Sequence, residues 1–151
     1  MKITKHFEVL AAYTMPEMWS MAKRKMLVVQ GSGAADADYI AFIRIGLMDG
    51  KKKLPGILTH IAKVRKILAY QPASHYLEDE PLLREIQKDK EWSGTVKEYY
   101  LESIEELPHP IPHKKGDRAR SQVKFYTTLD EIRKAKVLSD IKTCWQLDQL
   151  K

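Results

Sequence analysis

GILTHIAKVRKIL, residues 56 to 68, is the longest run in the chain with clear strand character. Leu58, Ala62, Val64 and Leu68 occupy one parity, with His60 among them. Ile57, Ile61 and Ile67 occupy the other, beside Lys63 and Arg65. Side chains alternate across a strand, so a strand with one solvated face keeps one parity mostly polar. Apolar residues on both parities imply burial on both sides, as in the wall of a strongly curved sheet or barrel. The basic residues on one parity mark an edge that can face a polyanion.

On either side of this strand the chain offers partners for it. Tyr39 to Met48 (YIAFIRIGLM) is aromatic, β-branched and almost uncharged, which predicts a buried strand. Asp49-Gly50, three lysines and Pro55-Gly56 then turn the chain back, so the two strands are expected to form a hairpin. Upstream, residues 3 to 10 predict a first strand and MLVVQ (26 to 30) another. Between them, Thr14-Met-Pro-Glu17 opens a helix to about Lys25, with Met18, Met21, Ala22 and Lys25 along one side and Trp19 near its border. Gly31-Ser-Gly33 begins a small-residue loop that reads as flexible. Downstream, Asp79 or Glu80 caps a short helix begun by Pro81, and Trp92 to Glu106 resumes strand character. Pro108-His-Pro-Ile-Pro112 is then expected to stop the strand, since proline cannot sit inside a sheet. HKKGDRARS follows as a basic loop before a last strand, 122 to 126, and Thr128 with Glu131 caps a final helix, LDEIRKAKVL.

The chain has 151 residues, 44% hydrophobic and 30% charged, which is globular usage and excludes a wholly disordered or fibrous chain. That length suits one domain, 1 to 151, with a single core. The lone cysteine, Cys144, cannot close an internal disulfide, and no segment reaches about 18 consecutive apolar residues. A cytoplasmic protein with no membrane span and no signal peptide is therefore expected. The net charge of +6 is clustered at Lys23 to Lys25, Lys51 to Lys53, Lys63 to Lys66 and Lys114 to Lys124, while acid gathers at 78 to 80 and 102 to 106. Such clustering favours a nucleic-acid partner.

Catalytic signals are thin. Asp49-Gly-Lys51 and Asp140-Ile-Lys142 match the acid-x-Lys triplet of metal-dependent nucleases, but each falls in a turn or helix context instead of on a strand. Cys144 beside Trp145 reads as a small hydrophobe, and the five histidines have no cysteine partner, so no cofactor or metal is expected. His60 is either a core-lining histidine or a polar group in a barrel mouth that reads a base edge. Trp19, Trp92 and Tyr99 are the aromatic candidates for a base pocket, since stacking on an aromatic ring is worth about 1 to 3 kcal/mol. Lys63, Arg65, Lys114, Lys115, Arg118, Arg120 and Lys124 are the candidate phosphate contacts.

Four segments together, YIAFIRIG, GILTHIAKVRKILAY, WSGTVKEYYLESIEELPHPIP and RARSQVKFYTTLDEI, resemble the PUA-like superfamily, most of all its EVE branch, over roughly residues 38 to 135. The resemblance implies an α+β fold: a small closed or nearly closed β-barrel of about five to six mostly antiparallel strands with peripheral short helices. It also implies a non-catalytic module that binds DNA or RNA and holds a modified or flipped base in an aromatic pocket, as the EVE, YTH and SRA relatives do. The EVE pattern has an early Trp-Gly or Trp-x-Gly-Val-Arg segment, where this chain has EMWSMAKRKMLVV with Trp19 alone as counterpart. The alternative implied by the related ASCH type is a hydrolase or nuclease acting on RNA or modified nucleosides. Thr59, Lys63 and a distant glutamate would have to converge in the barrel mouth to supply it.

Overall fold

A computed structural model describes residues 6–31, 34–53, 55–70, 96–113 and 124–143. Its strands are β1 (His6–Thr14), β2 (Leu27–Gly31), β3 (Asp36–Arg44), β4 (Met48–Asp49), β5 (Lys52–Lys53), β6 (Ile57–Tyr70), β7 (Val96–Pro112) and β8 (Lys124–Thr127). Its helices are α1 (Pro16–Lys25) and α2 (Leu129–Lys134), and a 3-10 turn covers Leu138–Asp140. Six strands form one sheet in the order β2-β7-β6-β3-β1-β8, and β4 with β5 makes a separate small hairpin. Within the large sheet β1 runs parallel to β3, and every other pair is antiparallel. The helix between β1 and β2 removes the constraint to a hairpin and lets β3 return beside β1 in the same direction.

The expected closed barrel is not formed. The terminal strands β2 and β8 do not pair with each other, so the sheet is a curled half-barrel. Closure is replaced by cover on both faces. Leu10, Ile40, Phe42, Ala62, Tyr99 and Leu101 pack with Trp19 and Ala22 of α1 on one face. Val9, Ala11, Ala41, Ile43, Leu58, Ile111 and Phe125 pack with Ile132 of α2 and with Leu138 and Ile141 on the other. Two buried faces account for the apolar residues on both parities of the central strands.

The expected hairpin of β3 with the long strand is present, with β4 and β5 inserted at its turn around Gly50, which sits at φ +62. Within β6 the parity changes at Thr59 and again at Arg65, the extra residue between Val64 and Lys66. Phe42 pairs with His60 but Ile43 pairs with Leu58, so Thr59 is an extra residue on β6 and forms a bulge. Leu58 therefore joins the α2 face, while His60, Ala62 and Val64 lie toward α1. Simple alternation places Leu58 with Ala62 and Val64, and the bulge overrides it. Further register shifts at Lys63/Val64 and Val64/Lys66 curl the β6–β7 ribbon. Gly56 at the entry to β6 is needed for close approach, since a Cβ there would lie 2.6 Å from Ile43 Cγ2 and 3.1 Å from the Tyr13 ring.

The proline run does not end its strand as expected. β7 continues to Pro112, with Ile111 opposite Leu58 and Pro112 opposite Ile57. This is tolerated because β2 covers only Val96–Tyr100, leaving β7 beyond that point with β6 on one side alone among the described residues. Between the pairs His60–Glu106 and Leu58–Ile111, residues 107 to 110 loop out of register. Pro108 and Pro110, with no N–H to donate, thus fall where no ladder bond is needed.

At α1, Pro16 occupies the first turn as expected, and Met26 closes the helix in the left-handed region, its N–H donating to Ala22 O. Trp19, Met21 and Ala22 are the buried residues, whereas Lys25 is exposed, so Trp19 lies at the centre of the packed side and not at its border. The described end of the small-residue loop is clamped. Lys97 Nζ donates to Ala34 O at 2.6 Å and pairs with Asp36 at 3.0 Å. Tyr99 donates to Ala35 O at 2.7 Å, and Ala35 N donates to the Tyr126 hydroxyl at 2.9 Å. Thr128 caps α2, accepting from Glu131 N at 3.2 Å, while the Glu131 carboxylate accepts from Lys142 N at 2.9 Å. The expected helix at 81 to 90 lies outside the described residues. No helix among the described residues is long and apolar enough to cross a membrane.

Candidate nucleic-acid interface on the α1 face

One row of paired residues crosses the sheet on the α1 side. Lys124 of β8 lies opposite Ala12 of β1, Ala12 opposite Phe42 of β3, Phe42 opposite His60 of β6, and His60 opposite Glu106 of β7. With strands about 4.8 Å apart, this line of polar, apolar and polar groups spans about 19 Å. Trp19 rests on its middle. The indole meets Phe42 edge-on at 5.1 Å between ring centroids and the His60 ring at 4.5 Å with a 44° tilt.

Two cations lie over the same indole. Lys23 Nζ is 5.3 Å from the ring centroid and Arg44 Cζ is 5.0 Å from it. Lys23 comes from the last turn of α1, one helical turn beyond Trp19. Arg44 comes from the end of β3, two residues past Phe42 and so on the same side. Neither forms an ion pair among the described residues. The Trp19 ring is itself buried, at 5% exposure, with its faces shared among Phe42, His60 and the two cations. A base held between Trp19 and His60 would need the rings about 7 Å apart, two van der Waals contacts. The observed centroid separation is too short for that, so Trp19 and His60 do not sandwich a base in this arrangement.

His60 donates or accepts at Nδ1 with Thr59 Oγ1 at 2.8 Å. Burial pushes its pKa below the usual histidine range. Glu106 opposes that shift, and the positive charges of Arg44 and Lys23 add to it. The unfolded chain therefore takes up a proton at this position at higher pH than the folded protein does. Stability contributed by neutral His60 is present above the ordinary histidine pKa and is lost as pH falls toward the depressed folded value. The urea midpoint is expected to fall between pH 7.5 and pH 5.5, and to fall less in His60→Gln. Equal falls in both proteins would show that His60 is not the titrating group.

The other expected site residues are dispersed. Lys63 pairs with Tyr39 and Ser103 in the ladder and forms an ion pair with Glu102 at 3.3 Å, both side chains being more than half exposed. Tyr39 packs with the α2-side cluster, so Lys63 lies on the opposite face from Trp19. Arg65 is the extra residue between Val64 and Lys66 and is exposed. Lys124 is half-buried on the α1 face, and burial lowers its pKa. Tyr99 is fully buried with its hydroxyl committed to Ala35, which places it in the core. Trp92, Lys114, Lys115, Arg118 and Arg120 lie outside the described residues, as does Cys144. Arg44 was not among the expected contacts, although it is the one charge inside YIAFIRIGLM before Asp49 and Trp19 stands one helical turn before Lys23.

Of the residues named for a hydrolase, Thr59 is bonded to His60 at 2.8 Å and Lys63 is paired with Glu102 at 3.3 Å. Asp140 serves a turn, its carboxylate accepting from Lys136 N and Val137 N. His109 and His113, four residues apart, are on the extended end of β7 and just past it instead of on a helix. His113 stacks on Tyr13 at 6.4 Å. Among the described residues no three His, Cys, Asp or Glu side chains cluster to hold a metal. No family model, curated protein or solved structure matches the chain.

Proposed function

We propose that the chain is a PUA-like, EVE-type module that binds a nucleic-acid strand along its α1 face without catalysing a reaction. The observation that supports it is the pair of cations over Trp19. By their distances to the ring, Lys23 and Arg44 are at most about 10 Å apart, and neither is paired with a carboxylate among the described residues. Their repulsion is worth on the order of 1 to 2 kcal/mol at the effective dielectric of a protein surface. A phosphate placed between them removes that cost, and guanidinium grips phosphate at two points. The curled open sheet with a short helix on each face is compatible with the family resemblance, and Lys124 at the far end of the row extends the positive line. In the same proposal Lys114, Lys115, Arg118 and Arg120, which precede Lys124, contact further phosphates. Once Arg44 has turned to a phosphate, the indole face it leaves is free to stack on a base, plain or modified.

The test is a binding series with modified and unmodified DNA and RNA oligonucleotides at two salt concentrations. Each neutralised phosphate contributes about 0.7 to the logarithmic salt slope on a single strand and about 0.9 on a duplex, so Lys23→Gln with Arg44→Gln, which removes the one phosphate held between them, should lower the slope by about 0.7 to 0.9. Lys63→Gln, on the other face, should leave it unchanged. Absence of binding to every oligonucleotide at low salt would sink the proposal.

A further inference from the structure

Residues 107 to 110 leave the ladder beside the end of α2, and the two segments enclose a groove of about 480 Å³. Its floor is apolar: Ile111 and Ile132 are buried at 3% and 2% exposure, with Leu107 and Ala135 half-buried beside them. Its rim is cationic. Arg133, Lys134 and Lys136 line it together with the exposed prolines of the β7 tail. Lys134 is answered by Asp130 at 2.8 Å, whereas Arg133 and Lys136 form no ion pair among the described residues. A groove of this volume falls within the range of about 300 to 1,000 Å³ typical of sites for small organic molecules. Leu107, Ile111, Ile132 and Ala135 all belong to the α2-side cluster, so the groove is on the opposite face of the sheet from Trp19.

We propose that this groove binds an amphipathic organic anion, its apolar body on Ile111, Ile132, Leu107 and Ala135 and its carboxylate, sulfonate or phosphate on Arg133 and Lys136. The pairing of an apolar floor with two cations unanswered among the described residues sets the chemistry. A neutral hydrophobe leaves both charges unused, and a bare inorganic anion leaves the floor unused. The site is independent of the nucleic-acid proposal, with which it shares no residue.

The probe is 8-anilinonaphthalene-1-sulfonate on the native protein, compared with N-phenyl-1-naphthylamine, which has the same apolar body without the sulfonate. One saturable site is expected, at least tenfold weaker for the neutral probe. Arg133→Glu with Lys136→Glu, both exposed and outside the core, should weaken the sulfonate at least tenfold while leaving the urea midpoint in place. Equal affinity in the double variant, equal affinity for the two probes, or no saturable binding would overturn the assignment. Displacement of the sulfonate by an oligonucleotide would overturn it in favour of a nucleic-acid surface. Loss of sites as the protein self-associates would overturn it in favour of a second copy of the chain.

Discussion

Tyr99→Ala is expected to destabilise the protein by about 3 to 5 kcal/mol, the cost of removing a fully buried aromatic side chain and leaving its cavity. Domains are stable by only about 5 to 15 kcal/mol, so much of the protein would lose its fold near its working temperature. Tyr99 sits between Val28 of β2 and Ile67 of β6, and holds the edge strand to the sheet by packing as well as pairing. Its hydroxyl adds a second function, since Ala35 O at 2.7 Å is nearly buried. Tyr99→Phe isolates this smaller effect, about 1 to 3 kcal/mol for an acceptor left without its donor. Burial pushes the phenol pKa up, with Tyr126 and Asp36 adding to the shift, so the donor keeps its proton across the stable range of pH. Urea unfolding of the two variants checks both figures. A Tyr99→Ala protein within about 1 kcal/mol of the parent would show that the residue is not a core element.

Trp19→Ala is the second large effect, and it alters how the proposed interface is to be tested. The indole is 5% exposed and supports Phe42, His60, Lys23 and Arg44, so its truncation should cost about 3 to 5 kcal/mol as well. At this chain length each kcal/mol moves the melting temperature by about 2 to 4 °C, which predicts a fall of roughly 6 to 20 °C. Loss of oligonucleotide binding in that variant would report unfolding as readily as loss of a contact. Trp19→Phe keeps an aromatic body against Phe42 and weakens the cation contact, because indole is the strongest cation acceptor of the three rings. A phenylalanine variant that holds its urea midpoint but binds oligonucleotides several-fold more weakly would tie the ring to binding. Unchanged affinity in a folded Trp19→Phe protein would take the ring out of the interface.

Local signals carried much of the fold. Pro16 in the first turn of α1, Thr128 at the cap of α2, the aromatic and apolar stretch of β3 and the β-branched residues of β6 place their elements with little help from the rest of the chain. What periodicity could not show was where a strand gains a residue. Thr59 is an ordinary strand residue, and its bulge exists because Ile43 and Leu58 are buried on the α2 face while Phe42 and His60 meet Trp19 on the other. Barrel closure was not legible because β2 and β8 are separated by four other strands, and whether they meet depends on the summed curl of β6 and β7. The candidate site was half legible. Trp19 and His60 stand out by residue type, but Arg44 was hidden in an otherwise uncharged strand whose end reaches the indole only in three dimensions. Lys63 and Arg65 drew attention by their parity on one strand, and the fold turns Lys63 to the face away from Trp19.

The end of β7 gives the prolines of that strand a further meaning. Past Tyr100 its outer edge has no strand beside it among the described residues, and a long exposed edge invites another chain to add itself to the sheet. Pro108, Pro110 and Pro112 have no N–H to offer another strand, and the excursion of 107 to 110 bends the edge away from a straight template. Residues that at first promise only to interrupt a strand therefore act as its guard, keeping an open half-barrel from stacking edge to edge into larger assemblies.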